Sequence, residues 1–181
     1  ERVSGLKIHE FAQKELFIPL DMAHTFYRHS LEAIIRNRAY PYYKSKGKYQ
    51  QPKSLNLCVG AGGMGSTITD LSKWAQIFLN PLHQFSHLKE FITQLDTLNN
   101  GEAMKHARGM FVSPYKGYTT FNHSGRGLGM RSQFICLPDL NLGVIINSNS
   151  EHINAVNISY QILELFLKAP TQKEKANAYD P

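Results

Sequence analysis

The stretch His123-Ser124-Gly125-Arg126 lies between two strand-like segments and holds the residue types that best suit acyl-transfer chemistry. An imidazole can donate or accept a proton near neutral pH. Acyl transfer through a serine also needs donors aimed at the developing oxyanion, and a backbone N–H on a rigid strand edge supplies one without reorganising during reaction. Taken alone, a His-Ser-Gly tripeptide is more often a polar turn than a site.

Two other spacings compete for attention. Gly60-Ala61-Gly62-Gly63-Met64-Gly65 satisfies G-x-G-x-x-G, follows strand-like residues 55–59 and precedes a helix, as in a dinucleotide-binding fold. Against nucleotide binding, the next element after that helix is another helix, not a parallel strand, and no acidic residue stands at a strand end about 20 residues on to read a ribose. No Lys follows Gly65, so a P-loop is excluded. The plainer reading is a tight backbone approach, followed by Thr67 as N-cap with Asp70 completing an approximate capping box. His83 and His87 share an i, i+4 spacing, but with no third ligand nearby a solvated face is the better reading than a metal site.

Local periodicity supplies the elements that must position these residues. Glu1 to Ser4 followed by Gly5 reads as the last turn of a helix closed by a left-handed glycine. Leu6, Phe11, Leu16 and Phe17 predict an amphipathic helix over about 7–17, ended by Pro19. Leu71, Trp74, Ala75 and Phe78 predict another over about 68–79, stopped by Asn80-Pro81, and a third follows over about 85–95. Beyond Gly101 the period becomes strand-like over 108–112, 118–122, 131–137 and 142–147, with a Gly-rich bend after the second of these. A closing helix is expected over about 152–168. Helices flanking a run of short strands imply an α/β or α+β fold with helices packed on an antiparallel sheet.

Composition narrows the class. Of 181 residues, 42% are hydrophobic and 19% charged, as in ordinary globular domains, so one domain over 1–168 with a polar tail over 169–181 is the natural division. The longest apolar run, 142–146, is far short of the roughly 20 residues of a membrane-spanning helix. The net charge of +6 could attract an anionic partner. Its densest part, Arg36, Arg38, Lys44, Lys46, Lys48 and Lys53, alternates with Tyr40, Tyr42, Tyr43 and Tyr49. Pro41, Gly47 and Pro52 interrupt that run, which favours a solvated loop beside a cleft over a nucleic-acid surface. Cys58 and Cys136 both sit in apolar contexts, as small buried hydrophobes do.

The run Gly62-Gly63-Met64-Gly65-Ser66-Thr67-Ile68-Thr69-Asp70-Leu71-Ser72-Lys73-Trp74 resembles the GG-x-x-ST-x-x-DL-x-x-W/F stretch of class C β-lactamases, penicillin-binding-protein-like esterases and D-amino-acid peptidases. Glu1-Arg2-Val3-Ser4-Gly5 is similar to the ERVSG-type helix end of that family, and Ile18-Pro19-Leu20-Asp21-Met22 to its PLGM turn. His123-Ser124-Gly125, with Gly129, Ser132 and Pro138 behind it, resembles the HSG or HTG strand motif. The order and spacing of these motifs cover almost all of residues 1–168. The resemblance implies the C-terminal portion of a β-lactamase/transpeptidase-like fold and a serine hydrolase that opens a β-lactam, peptide amide or ester through an acyl-enzyme. It implies no cofactor and no metal.

By the same resemblance, the N–H of Arg126 donates to the oxyanion, Gly125 lets substrate approach the strand, and His123 replaces the Lys of many relatives beside nucleophile and base. Ser124 contacts a substrate carboxylate or the proton network. The family's nucleophile and base belong to an S-x-x-K and a Y-x-N upstream of the ERVSG-like segment. No Y-x-N occurs here, and S-x-x-K at Ser4 to Lys7, Ser86 to Lys89 and Ser113 to Lys116 lacks the strand-then-buried-helix context. The chain begins at Glu1 without Met or leader, so the expectation is a missing N-terminal segment that carries both motifs and pairs with the last strand, and inactivity without it. A non-catalytic binding module of the same fold is the alternative. The resemblance favours a periplasmic or secreted location without deciding it.

Overall fold

The computed structural model describes residues 1–30, 32–52, 59–127 and 129–167. Helix α1 (Ile8–Ala12) runs straight into a π-helical turn, Gln13–Phe17, within the amphipathic stretch expected over 7–17. The wider turn is marked by Ile18 N–H donating to the carbonyl of Gln13 at 3.0 Å and Met22 N–H to that of Phe17 at 2.8 Å. Pro19, which has no N–H, follows at once. Ala12, Phe17, Leu20 and Met22 are buried along one side. Ahead of them, Gly5 has φ +70° and donates to Glu1 O at 2.8 Å, the left-handed closure its position suggests, although residues 1–4 form turns rather than a regular helix.

Strand β1 (Phe26–Tyr27) pairs antiparallel with a later strand, and β2 (Tyr43–Ser45) pairs with β3 (Lys48–Gln50). This hairpin corrects the reading of 36–53 as loop throughout. Lys46 and Gly47 both take positive φ, 48° and 78°, so the punctuating glycine makes the tight turn of a hairpin. The partner of β1 is β4 (Met64–Gly65). A Cβ on Gly65 would come within 2.6 Å of Cζ of Phe26, so close packing explains the last glycine of the G-x-G-x-x-G run. Residues 53–58, including Cys58, Lys53 and most of the strand expected over 55–59, lie outside the described residues, as does the tail over 169–181.

Helix α2 (Ile68–Leu79) begins where Thr67 Oγ1 accepts the N–H of Asp70 at 3.2 Å. Only half of a capping box forms. The Asp70 carboxylate, 1% exposed, turns instead to the N–H of His24 at 2.7 Å and the hydroxyl of Thr25 at 2.8 Å, pinning the segment after the Pro19 turn to α2. Helix α3 (Ser86–Thr93) is shorter at both ends than expected.

The main sheet is an antiparallel meander of β5 (Phe111–Tyr115), β6 (Tyr118–Gly127), β7 (Met130–Leu137) and β8 (Leu142–Ser148), ordered as in the chain. Helix α4 (Ala155–Phe166) follows, starting later than residue 152 because Asn154 is its N-cap, accepting from the N–H of Asn157 at 3.0 Å. Neighbouring residues of a strand face opposite sides. Phe121, Phe134 and Cys136 therefore meet α2, where Phe78 packs against Phe121 and Phe134 with ring centroids 6.0 and 5.6 Å apart. Ile135, Leu137 and Val144 meet Leu163 of α4 on the other side. The result is an α/β fold with helices on both faces of an antiparallel sheet. No helix is long and apolar enough to cross a membrane among the described residues.

Candidate active site

Strand β6 is five residues longer than the 118–122 read from the sequence, and the added residues include the entire tripeptide. His123, Ser124, Gly125 and Arg126 are strand residues, where a Gly-rich bend was expected. Ser and Gly favour turns in isolation, but β7 supplies a partner at every position, His123 opposite Phe134 and Gly127 opposite Met130. Cross-strand pairing outweighs local preference here. The first of the four strands likewise lies at 111–115, three residues later than expected.

Strand β5 does not reach as far. It ends at Phe111, opposite Asn122, so His123 to Gly127 pair on one side only. Tyr115 and Tyr118 close a two-residue turn at Lys116-Gly117, where φ is 49° and 85°, and the pair flanking such a turn exchanges hydrogen bonds. Backbone groups alternate along an antiparallel strand. The amides of residues 118, 120 and 122 thus point toward β5, and those of Ser124 and Arg126 point the same way past its end, to an edge with no strand among the described residues.

The register of this edge rests on two close approaches. Ser132 is directly opposite Gly125, and a Cβ on Gly125 would run into its Oγ. A Cβ on Gly129 would meet the Tyr42 backbone at 2.6 Å, while Tyr42 N–H donates to Asn149 O at 2.8 Å. The hairpin end of β6 and β7 is thereby held against the Tyr-rich segment.

His123 lies on the α2 side of the sheet and Ser124 and Arg126 on the α4 side. Beside His123 are two residues that the sequence reading passed over. The ring of His106 is 5.9 Å from that of His123 and 4.5 Å from that of Phe111, which is itself 5.8 Å from His123. Seventeen positions separate His106 from His123, so no local spacing could have joined them. At the other end of the open edge is a cleft of about 350 Å³ lined by Ser124, Arg126, Arg131, Glu151, His152 and Asn154 among others.

The remaining candidates are not part of this edge. Ser4 is an exposed turn residue, and Ser86 is the first residue of α3. Ser113, expected in a hairpin turn, lies within β5, with its Oγ 3.1 Å from that of Thr120. A further S-x-x-K, Ser45 to Lys48, was overlooked and is the cross-strand pair at the tip of the β2–β3 hairpin. His83 precedes α3 and accepts the N–H of Phe85, so His83 and His87 do not share a helix. No group of three or more metal-ligating side chains occurs among the described residues. The displaced acidities are structural: Lys73 hydrogen-bonded to Asp21 lowers that carboxyl, burial pushes the Cys136 thiol up to about 12, and Glu164 raises Tyr115 to about 12.

A meander whose second strand is left partly bare beside a helix-backed cleft defines a class of fold, and comparison gives it a family. The Beta-lactamase family model matches residues 1–165, and the chain belongs to that family of hydrolases. Among solved structures, the octameric penicillin-binding protein homologue from Pyrococcus abyssi superposes with a TM-score of 0.78 at 22% identity, over 92% of this chain and 39% of that one. The penicillin-binding protein from Bacillus halodurans gives 0.73 at 18% identity, over 90% and 51%. A class C beta lactamase from Rhodobacter sphaeroides gives 0.70 at 14% identity, over 92% and 56%. The chain thus spans roughly two fifths to just over half the length of these structures. No curated protein matches it.

Proposed function

We propose that this chain is the substrate-receiving half of a serine hydrolase active site, acting on an amide, lactam or ester through an acyl-enzyme. The observation that carries the reading is the open stretch of β6, where the Ser124 and Arg126 amides point past the end of β5. The Arg126 N–H donates to the oxyanion, and a rigid amide in a sheet does so without reorganising. Gly125 leaves the strand bare for substrate, His123 stands beside nucleophile and base as proton donor or acceptor, and Ser124 contacts a substrate carboxylate or the proton network. The substrate is a small molecule or a peptide.

The attacking half of the site, an S-x-x-K serine and lysine and a Y-x-N tyrosine, comes from a segment outside residues 1–181. Support comes from the four S-x-x-K matches within the chain, which sit in a turn, at the start of α3, within β5 and at a hairpin tip. None of them sits at the start of a helix that directly follows a strand. A fluorescent penicillin and a fluorophosphonate test the reading. The full-length protein is expected to be labelled and residues 1–181 alone not. Covalent labelling of residues 1–181 would overturn the division of labour, and labelling of neither would favour a binding module without catalysis.

A further inference from the structure

We propose that the cleft at the Arg126 end of β6, together with the β2–β3 hairpin, forms a subsite for an acidic peptide-like chain carrying at least two carboxylates. The acidic ligand would continue from the strand edge where the hydrolase reading places the scissile bond, so as a statement about substrate the proposal rests on that reading. As a statement about binding it stands on the cleft itself.

The floor of the cleft carries two arginines. Nη1 of Arg131 donates to Gly127 O at 2.9 Å and to Met130 O at 2.7 Å, which fixes the guanidinium over the β6–β7 turn and leaves its other nitrogens for a ligand. Arg126 is exposed beside it, and among the described residues neither arginine has an ion pair. A fixed guanidinium receives a carboxylate through a planar fork at low entropic cost. Glu151, the acidic residue of the lining, accepts the backbone N–H of Lys44 at 3.4 Å and so ties down the hairpin.

The hairpin supplies the second charge. Lys44 and Tyr49 are directly opposite in the β2–β3 ladder and share a face. The Tyr49 ring meets His152, a cleft residue, edge-on at 6.4 Å, so that shared face looks into the cleft. Tyr42 holds the hairpin base in place, its carbonyl accepting the N–H of Glu151 at 3.3 Å. Lys44 therefore stands over the outer mouth, with Lys46 and Lys48 exposed beyond it. Ile153, Ala155 and Val156 add an apolar wall to the cleft. An extended peptide adding to the open edge amides can reach both the arginines and Lys44, in the manner of a strand added to a sheet edge.

The test uses the full-length protein with acetyl-triglutamate and the isosteric acetyl-triglutamine as probes, binding being read by calorimetry. Triglutamate is expected to bind at least about tenfold tighter, the ratio one charge-assisted contact supplies. Arg126→Gln and Lys44→Gln, both on exposed side chains, are each expected to lower that preference several-fold with unchanged melting, whereas Lys14→Gln, a basic residue of the π-helical turn, is expected to leave it intact. Equal affinity for the two peptides would overturn the proposal. So would a triglutamate preference unchanged in Arg126→Gln and Lys44→Gln, because it would then reflect net charge alone. Fluorophosphonate labelling reports separately on the catalytic reading: selective peptide binding without labelling would sink that reading and leave the subsite standing.

Discussion

Ser132 Oγ occupies the space that a Cβ on Gly125 would need, across the β6–β7 pair. An alanine at this position would therefore require the Ser132 hydroxyl to swing to another rotamer. Gly125→Ala should cost no more than about 1 kcal/mol of stability, the order of one side chain leaving its preferred rotamer. Adding Ser132→Ala should recover most of it. Urea unfolding of the two single variants and the double variant checks this, and additive losses would show that the contact is not the cause.

Phe78 joins α2 to the sheet through Phe121 and Phe134 and is 1% exposed. Phe78→Ala should lower stability by about 3–5 kcal/mol. A loss under about 1 kcal/mol in the same measurement would mean that α2 is not seated on this face.

Asp70 accepts from both His24 N–H and the Thr25 hydroxyl through Oδ2. Asp70→Ala leaves the His24 N–H unpaired and the Thr25 hydroxyl with Ser66 Oγ alone, and should cost about 1–3 kcal/mol. Asp70→Asn, whose amide oxygen can take both donors, should cost less. Equal losses in denaturant titrations of the two variants would contradict this.

Burial lifts the Cys136 thiol from its ordinary value of 9.0 to about 12. From pH 9 to about 12 the unfolded chain has lost this proton while the folded chain keeps it. The folded state then binds more protons, so stability falls as pH rises through that window and is fully present below it. Cys136 should resist iodoacetamide in the native protein at pH 8 and react readily in guanidinium, read by mass spectrometry of its peptide. Cys136→Ala should flatten the alkaline decline.

β8 pairs with β7 on one side, and its other edge has no strand partner among the described residues. Its apolar run should make residues 1–181 alone self-associate unless a segment from outside them pairs there. Circular dichroism and gel filtration test this. A cooperatively melting monomer would contradict it.

Much of the fold was legible because its signals are local. The stripe of Leu71, Trp74, Ala75 and Phe78 located α2 to the residue, since helix neighbours are three or four positions apart. The beginnings and ends of the strands were less legible. Ser124 and Gly125 look like turn residues until β7 is placed beside them, and the Lys44–Tyr49 hairpin was hidden by prolines and a glycine that instead delimit and turn it.

By itself the sequence determined the alternation that makes a sheet with helices on both faces, the order of motifs that resembles one hydrolase family, and the four residues of the candidate edge. Each period and each single motif depends on residues within a few turns or strand lengths of one another. Only the tertiary structure decided that β5 stops at Phe111 and leaves the Ser124 and Arg126 amides bare, that His106 and Phe111 stand beside His123, and that Glu151, a cleft residue, accepts the Lys44 backbone N–H. Those relations join positions up to 107 apart in the chain. Local periodicity reports which face a residue presents, and the folded packing alone determines what meets that face.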